Sequence, residues 1–254
     1  MKVLVACVTN RAGGVDSFRC RVAKVSQQFR GLGELVPLHL NGISEIARAR
    51  SLLASSILRD LDSFDYVVLV DDDHDFVCEN FETMIFDLKW QQEHGESDVP
   101  LLGWYRIRSV AGEDARLSMK RSHCGRYWVG GLGFCGMSRD CFRRIHYPLG
   151  DDWVCIRENM PLIRGVYRSG PVGNWWTSED ISFCNDSRPQ LSVGTMVEHH
   201  GHWPTSDCTL LDGSPLTAAL ELEIGDLSEY RKSGGVLKRS ERNSMKRARR
   251  ARSR

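Results

Sequence analysis

Lys2 to Val8 is a short apolar run that ends in Thr9-Asn10-Arg11, the pattern of a buried parallel strand running into a loop. A helix is predicted over Val15 to Leu32, with Gly31 and Gly33 near its end. Leu35 to Leu40 reads as a second strand closed by Asn41-Gly42. In the next helix Ser44 is the expected cap, Glu45 sits in the first turn, and Ile46, Ala49, Leu53 and Ile57 recur at helical spacing. Phe64 to Val70 (FDYVVLV) is nearly all strand-forming and predicts a central strand buried on both faces. It stops at Asp71-Asp72-Asp73, and a third helix follows with Phe81, Met84, Ile85 and Leu88 on one side.

This β-α-β-α-β order predicts an α/β fold on an open, largely parallel sheet, whose ligands bind beyond the carboxyl ends of the strands. The loops after Val8, Leu40 and Val70 would share that edge. Beyond Pro100 the rhythm changes to strand and loop segments: Pro100 to Arg108, Tyr127 to Met137 and Gly194 to Val197, with a short helix from Arg139 to Ile145.

Charge changes the picture at one end. Residues 231–254 hold eleven Lys/Arg against one acid, Glu241, about +10, which leaves a body of 23 basic and 32 acidic residues, about −9. Gly234-Gly235 separates the two, and a tail so charged is expected to be flexible. The expected division is 1–230 as one domain, with a nucleotide-binding half over 1–100 and an acceptor half over 101–230, followed by the basic tail. No stretch approaches the roughly 20 apolar residues that cross a bilayer. Nine scattered cysteines without a CxxC pair fit a reducing, cytoplasmic setting.

The chemistry concentrates in DDDHDF, Asp71 to Phe76. Successive carboxylates at a strand end repel one another unless a cation or water compensates, and oxygen ligands suit Mg²⁺ or Mn²⁺. In an extended segment Asp71 and Asp73 would point the same way and share one ion, while Asp72 faces elsewhere. The plain alternative is a solvated acidic turn. His123, His199, His200 and His202 raise zinc as a rival, which the lack of any cysteine at finger spacing disfavours.

From this point the sequence resembles the GT-A glycosyltransferases, particularly soluble family-2-like members of bacteria and phages, over roughly residues 2 to 203. ISEIARARSLLASSILRDLDSFDYVVLVDDDHDF is similar to the family's helix, strand and D-x-D, with Arg50-Ser51 where Arg-Asn is usual. LLGWYRIR (101–108), VGGLGFCGMSRDCFRRI (129–145), WWTSEDISFC (175–184) and VEHHG (197–201) resemble later family segments in the same order.

The resemblance implies a Rossmann-like, mostly parallel GT-A sheet with a smaller mixed acceptor-side portion. It implies a metal at Asp71, Asp73 and His199, with Mn²⁺ preferred to Mg²⁺ for its tolerance of imidazole. Asp180 is the expected general base and Glu179 the second choice, with Ser178 capping a helix on which both stand. Thr9, Asn10, Arg11, Arg50, Asp72 and Gly131 are expected around a nucleotide-sugar donor, by default a UDP-sugar. Trp128, Trp175 and Trp176 are candidates for stacking on an acceptor.

For the acceptor, the basic tail can follow a phosphate backbone, and a small transferase with such a tail resembles phage enzymes that glycosylate hydroxymethylated pyrimidines in DNA, in the host cytoplasm. Saccharide or protein acceptors, a nucleotidyltransferase and a non-enzymatic nucleic-acid-binding module are the alternatives, and anionic lipid would attract the same tail.

Overall fold

The computed structural model describes residues 1–9, 14–94, 98–107, 116–148, 151, 160–172, 174–199, 202 and 208–214. Asn10, Arg11, His200 and the basic tail therefore lie outside the described residues, as does the side chain of Trp175.

The elements run β1 (Lys2–Thr9), α1 (Gly14–Phe29), β2 (Glu34–Asn41), α2 (Ile46–Asp60), β3 (Tyr66–Asp71), β4 (His74–Asp75), α3 (Cys78–His94), β5 (Leu101–Trp104), β6 (Met119–Arg121), β7 (Trp128–Gly130), β8 (Phe134–Ser138), α4 (Arg139–His146), β9 (Gly170–Val172), β10 (Trp175–Thr177), α5 (Glu179–Ser187), β11 (Gln190–Met196) and β12 (Glu198–His199). Six of these strands make one sheet in the order β11-β5-β8-β3-β1-β2. β2, β1 and β3 are parallel neighbours, and β5 is parallel to β11. β8 opposes both β3 and β5, so five strands share one direction and β8 runs against them. This is the mostly parallel, Rossmann-like α/β sheet expected of the GT-A type, with small two-stranded ladders attached.

The central strands are buried on both faces because their two sets of alternating side chains enter two different cores. On one face Leu4, Ala6 and Val8 of β1 join Val67 and Leu69 of β3, packed against Ala49, Leu53 and Ile57 of α2. On the other, Val3, Val5 and Cys7 join Val68 and Val70, packed against Phe18 and Val22 of α1 and Phe81, Met84 and Leu88 of α3. Strand β2 lies at the sheet edge, where the missing N–H of Pro37 is tolerated.

Three expectations need correction. Ser44 does not cap α2; the N-cap position is Glu45, without a side-chain hydrogen bond, and Ala49 N–H reaches the Glu45 carbonyl at 2.9 Å. The segment 127–137 holds two strands in different sheets, β7 paired with β6 and β8 between β5 and β3, with residues 131–133 between them. The acidic run is not extended, since the chain turns at Asp72-Asp73 between β3 and β4. Strand alternation therefore does not govern where Asp71 and Asp73 point.

Candidate functional site

The carboxyl ends of β1 and β3 meet where Val8 pairs with Asp71, and β8 begins beside them with Phe134 opposite Val70. Helix α5 presents its first turn to the same place. Ser178 caps it by accepting from Ile181 N–H, with Glu179 and Asp180 in the first turn where the helix dipole favours anions.

Arg50 organises this edge. It comes from α2, has a side chain only 7% exposed, and spans three carboxylates. One terminal nitrogen donates to Asp71 at 3.0 Å; the other donates to Glu179 at 3.0 Å and to Asp180. Burial alone would weaken the guanidinium's hold on its proton, but Asp180, Asp71 and Glu179 outweigh it and push the pKa further up. An exposed helix-surface role for Arg50 is thereby ruled out. Desolvation works the other way on Asp180: burial raises its carboxyl to about 6, against the lowering by Arg50 and with Glu179 and Asp71 adding to the rise. A carboxylate with that pKa is mostly ionised at neutral pH and still basic enough to take a proton.

The second cluster is Asp73, His74 and His199, the one group among the described residues able to offer three ligand atoms within 4.8 Å of one another. Strand β12 returns antiparallel to β4 and sets His199 opposite His74. His199 Nδ1 lies 2.8 Å from the Arg106 carbonyl, which can only accept, so Nδ1 carries a proton and Nε2 faces Asp73 Oδ2 at 3.5 Å. Burial would lower the His199 pKa, and the Asp73 carboxylate raises it instead. Burial would likewise raise the Asp73 carboxyl, and bonding to His199 holds it well below the usual carboxylate range.

Of the remaining candidates, Asp72 accepts from the Thr9 hydroxyl at 2.5 Å, tying the end of β1 to the acidic turn. Arg21 fastens that turn from α1 by donating to the Asp72 carbonyl at 2.8 Å. Gly131 is a glycine for a steric reason: a Cβ there would stand 2.0 Å from Tyr105 Oη and 3.8 Å from Asp180 Oδ2. Gly133 is crowded by the His74 ring in the same way, at 2.5 Å. Trp128 is buried in the core with Arg121 over its ring at 4.5 Å, so it is not free to stack on an acceptor. Trp176 is 74% exposed on the β9-β10 hairpin just before Ser178.

The structure thus brings Asp73 to His199 and Asp180 to Glu179, and places Asp71 with Arg50. Sequence reasoning passed over His74, Tyr105 and Arg21. His74 stood inside the D-x-D-H run, and that was a usable signal; nothing in the spacing of Tyr105 or Arg21 marked them.

No protein-family model matches the chain, and no curated protein does. Several solved structures bear a distant likeness. A197 from STIV shares 14% identity over 79% of this chain and 83% of that one, with a TM-score of 0.42. A glycosyltransferase involved in the glycosylation of the major capsid of PBCV-1 shares 9% identity over 57% of this chain and 63% of that one, with a TM-score of 0.30. At such scores neither likeness carries a functional argument; the chemistry at the sheet edge has to supply it. Among the described residues no helix is long and apolar enough to cross a membrane.

Proposed function

We propose that the chain is a metal-dependent glycosyltransferase that moves a sugar from a nucleoside-diphosphate sugar, by default a UDP-sugar, to a hydroxyl acceptor. The observation that carries this reading is the Arg50 clamp, which joins Asp71, at the end of the central strand, to the Asp180–Glu179 pair. Asp71 leads directly into the turn bearing Asp73, which faces His199 of β12, so a candidate cation-binding cluster and a raised carboxylate lie close together.

The residues fit a divalent ion on two counts. Three carboxylates crowd one turn, and His199 presents a nitrogen whose far side is fixed by a carbonyl, as metal-binding histidines require. Asp73 and His199 would hold Mn²⁺, or less readily Mg²⁺, with Asp71 beside them; when bound, the ion neutralises charge on the departing diphosphate. Thr9, fixed by Asp72, borders the donor's place at the end of β1.

Asp180 performs the proton work. Its Oδ1 is retained by Arg50, which leaves Oδ2 for the acceptor. An acceptor hydroxyl gives its proton to Oδ2 as its oxygen bonds to the anomeric carbon. The bond from that carbon to the diphosphate oxygen breaks, its electron pair leaves with the nucleoside diphosphate, and the proton passes from Asp180 to solvent. Glu179 shares the guanidinium and keeps the pair in register.

The test is Asp73→Ala assayed by hydrolysis and transfer across a UDP-sugar panel with Mn²⁺. The expected result is loss of the Mn²⁺-dependent turnover shown by the wild-type chain; unchanged turnover would remove the cation from this place.

For the acceptor we carry the reading of hydroxymethylated pyrimidine in DNA, supported by the tail's charge of about +10. Acting on a base in a duplex requires turning it out of the stack, and the exposed Trp176 beside the Asp180 helix is a ring on which a displaced base can rest. The full chain should outperform a chain ending before Arg231 on hydroxymethylated DNA at low salt, with the advantage vanishing at high salt. Equal activity, insensitive to salt, would remove the tail from acceptor binding.

A further inference from the structure

Taking the cation of the proposed reaction as given, we infer that it is a first-row transition ion held by Asp73, His74 and His199, with Asp71 left to Arg50. The D-x-D reading assigns the ion to Asp71 and Asp73, and the geometry divides those two. Both Asp71 oxygens face one Arg50 nitrogen, at 3.0 and 3.4 Å. Asp73 turns instead toward two imidazoles, with Oδ1 2.9 Å from His74 Nδ1 and Oδ2 3.5 Å from His199 Nε2.

His74 is the decisive residue. It is 1% exposed, and neither ring nitrogen has a hydrogen-bond partner. Nδ1 stands 2.9 Å from Asp73 Oδ1, a charge contact rather than a hydrogen bond. A buried polar atom left in this state costs about 1–3 kcal/mol, and such groups in native proteins call for an explanation. The far nitrogen, Nε2, is closed off by the backbone at Gly133, where a Cβ would stand 2.6 Å away. Nδ1 is therefore the nitrogen that looks onto the carboxylate.

The β4–β12 register brings His199 directly across from it, the rings lying 4.7 Å apart at 23°. His199 Nδ1 donates to the Arg106 carbonyl, so Nε2, 3.5 Å from Asp73 Oδ2, is the nitrogen that would face an ion. Each of the three side chains offers a ligand atom within 4.8 Å of the others. Such a set is poor for Mg²⁺, which prefers oxygen, and suits Mn²⁺ and its heavier neighbours. His74 would find its missing partner by giving the Nδ1 lone pair to such an ion.

The experiment uses the full chain with Mn²⁺ alone, without nucleotide-sugar, and counts coordinated imidazole nitrogens by pulsed electron paramagnetic resonance. Two histidine couplings are expected in the wild type and one in each of His74→Asn and His199→Asn, with Mn²⁺ affinity falling roughly tenfold or more in each. A tenfold excess of Mg²⁺ should leave the wild-type signal in place. One coupling in the wild type, lost in His199→Asn and kept in His74→Asn, overturns the inference and leaves the transferase reading standing. Absence of Mn²⁺ binding in the wild type overturns both. The wild-type nitrogen count needs no variant, and a melting curve on each variant separates lost ligation from lost folding.

Discussion

Under the proposed reaction, Asp180→Asn should leave the donor bound and abolish transfer. The amide is nearly isosteric and can still accept from Arg50, but it cannot take a proton, and a general base contributes roughly 10²–10⁴-fold to rate. Folding should survive, because the change withdraws one negative charge from a site where Asp71 and Glu179 still satisfy Arg50. The wild-type chain should carry a matching signature. With the carboxyl at about 6, kcat/KM should fall about tenfold per unit as the pH drops below that value and level off above it. Titration calorimetry of donor binding beside product mass spectrometry makes the comparison. Turnover within a few-fold of wild type would pass the role to Glu179.

Loss of the Arg50 guanidinium should be the most destabilising single change at the site. In Arg50→Gln three carboxylates that are 11%, 26% and 28% exposed lose their common partner. Removing one member of a buried charged set costs about 3–5 kcal/mol, since the remaining charges stay desolvated without compensation. Arg50→Lys should recover little, because an ammonium cannot span three acceptors with a planar fork.

The pH dependence has a definite sign. Arg50 lowers the Asp180 pKa, so its removal raises a folded-state value that already stands above the unfolded one. A carboxyl of that kind stabilises the fold while protonated and gives up that contribution as the pH climbs through the folded value. The variant should therefore lie closer to wild type in urea unfolding at pH 5 than at pH 8. An equal gap at both would show that the loss is one of packing.

Much of the sheet was legible because FDYVVLV and VLVACV obey a rule that leaves few alternatives: strands buried on both faces are apolar throughout. Ser178 as a cap was legible for a local reason, a hydroxyl placed before a run that needs one. What escaped was decided by contacts distant in sequence. Strand alternation paired Asp71 with Asp73, whereas a turn at 72–73 sends one to Arg50 and the other to the histidines. Helical spacing could not tell a buried Arg50 from an exposed one, since its burial depends on carboxylates 129 and 130 residues further on. Tyr105 matters because a glycine on another strand end leaves room for its hydroxyl. Asn10, Arg11 and the basic tail, outside the described residues, stay expectations of the sequence.

The order in which the sheet is threaded bears on the chain's birth at the ribosome. β1, β2 and β3 with their helices are consecutive in sequence, and such units can dock while translation continues. The Arg50–Asp180 contact spans 130 residues, and the strand carrying His199 is later still. A nascent chain can thus carry these docked units for several seconds before Asp180 stands beside them. The proposed reaction would then require synthesis to pass His199, and a product terminated before that residue would be folded in part, yet inert.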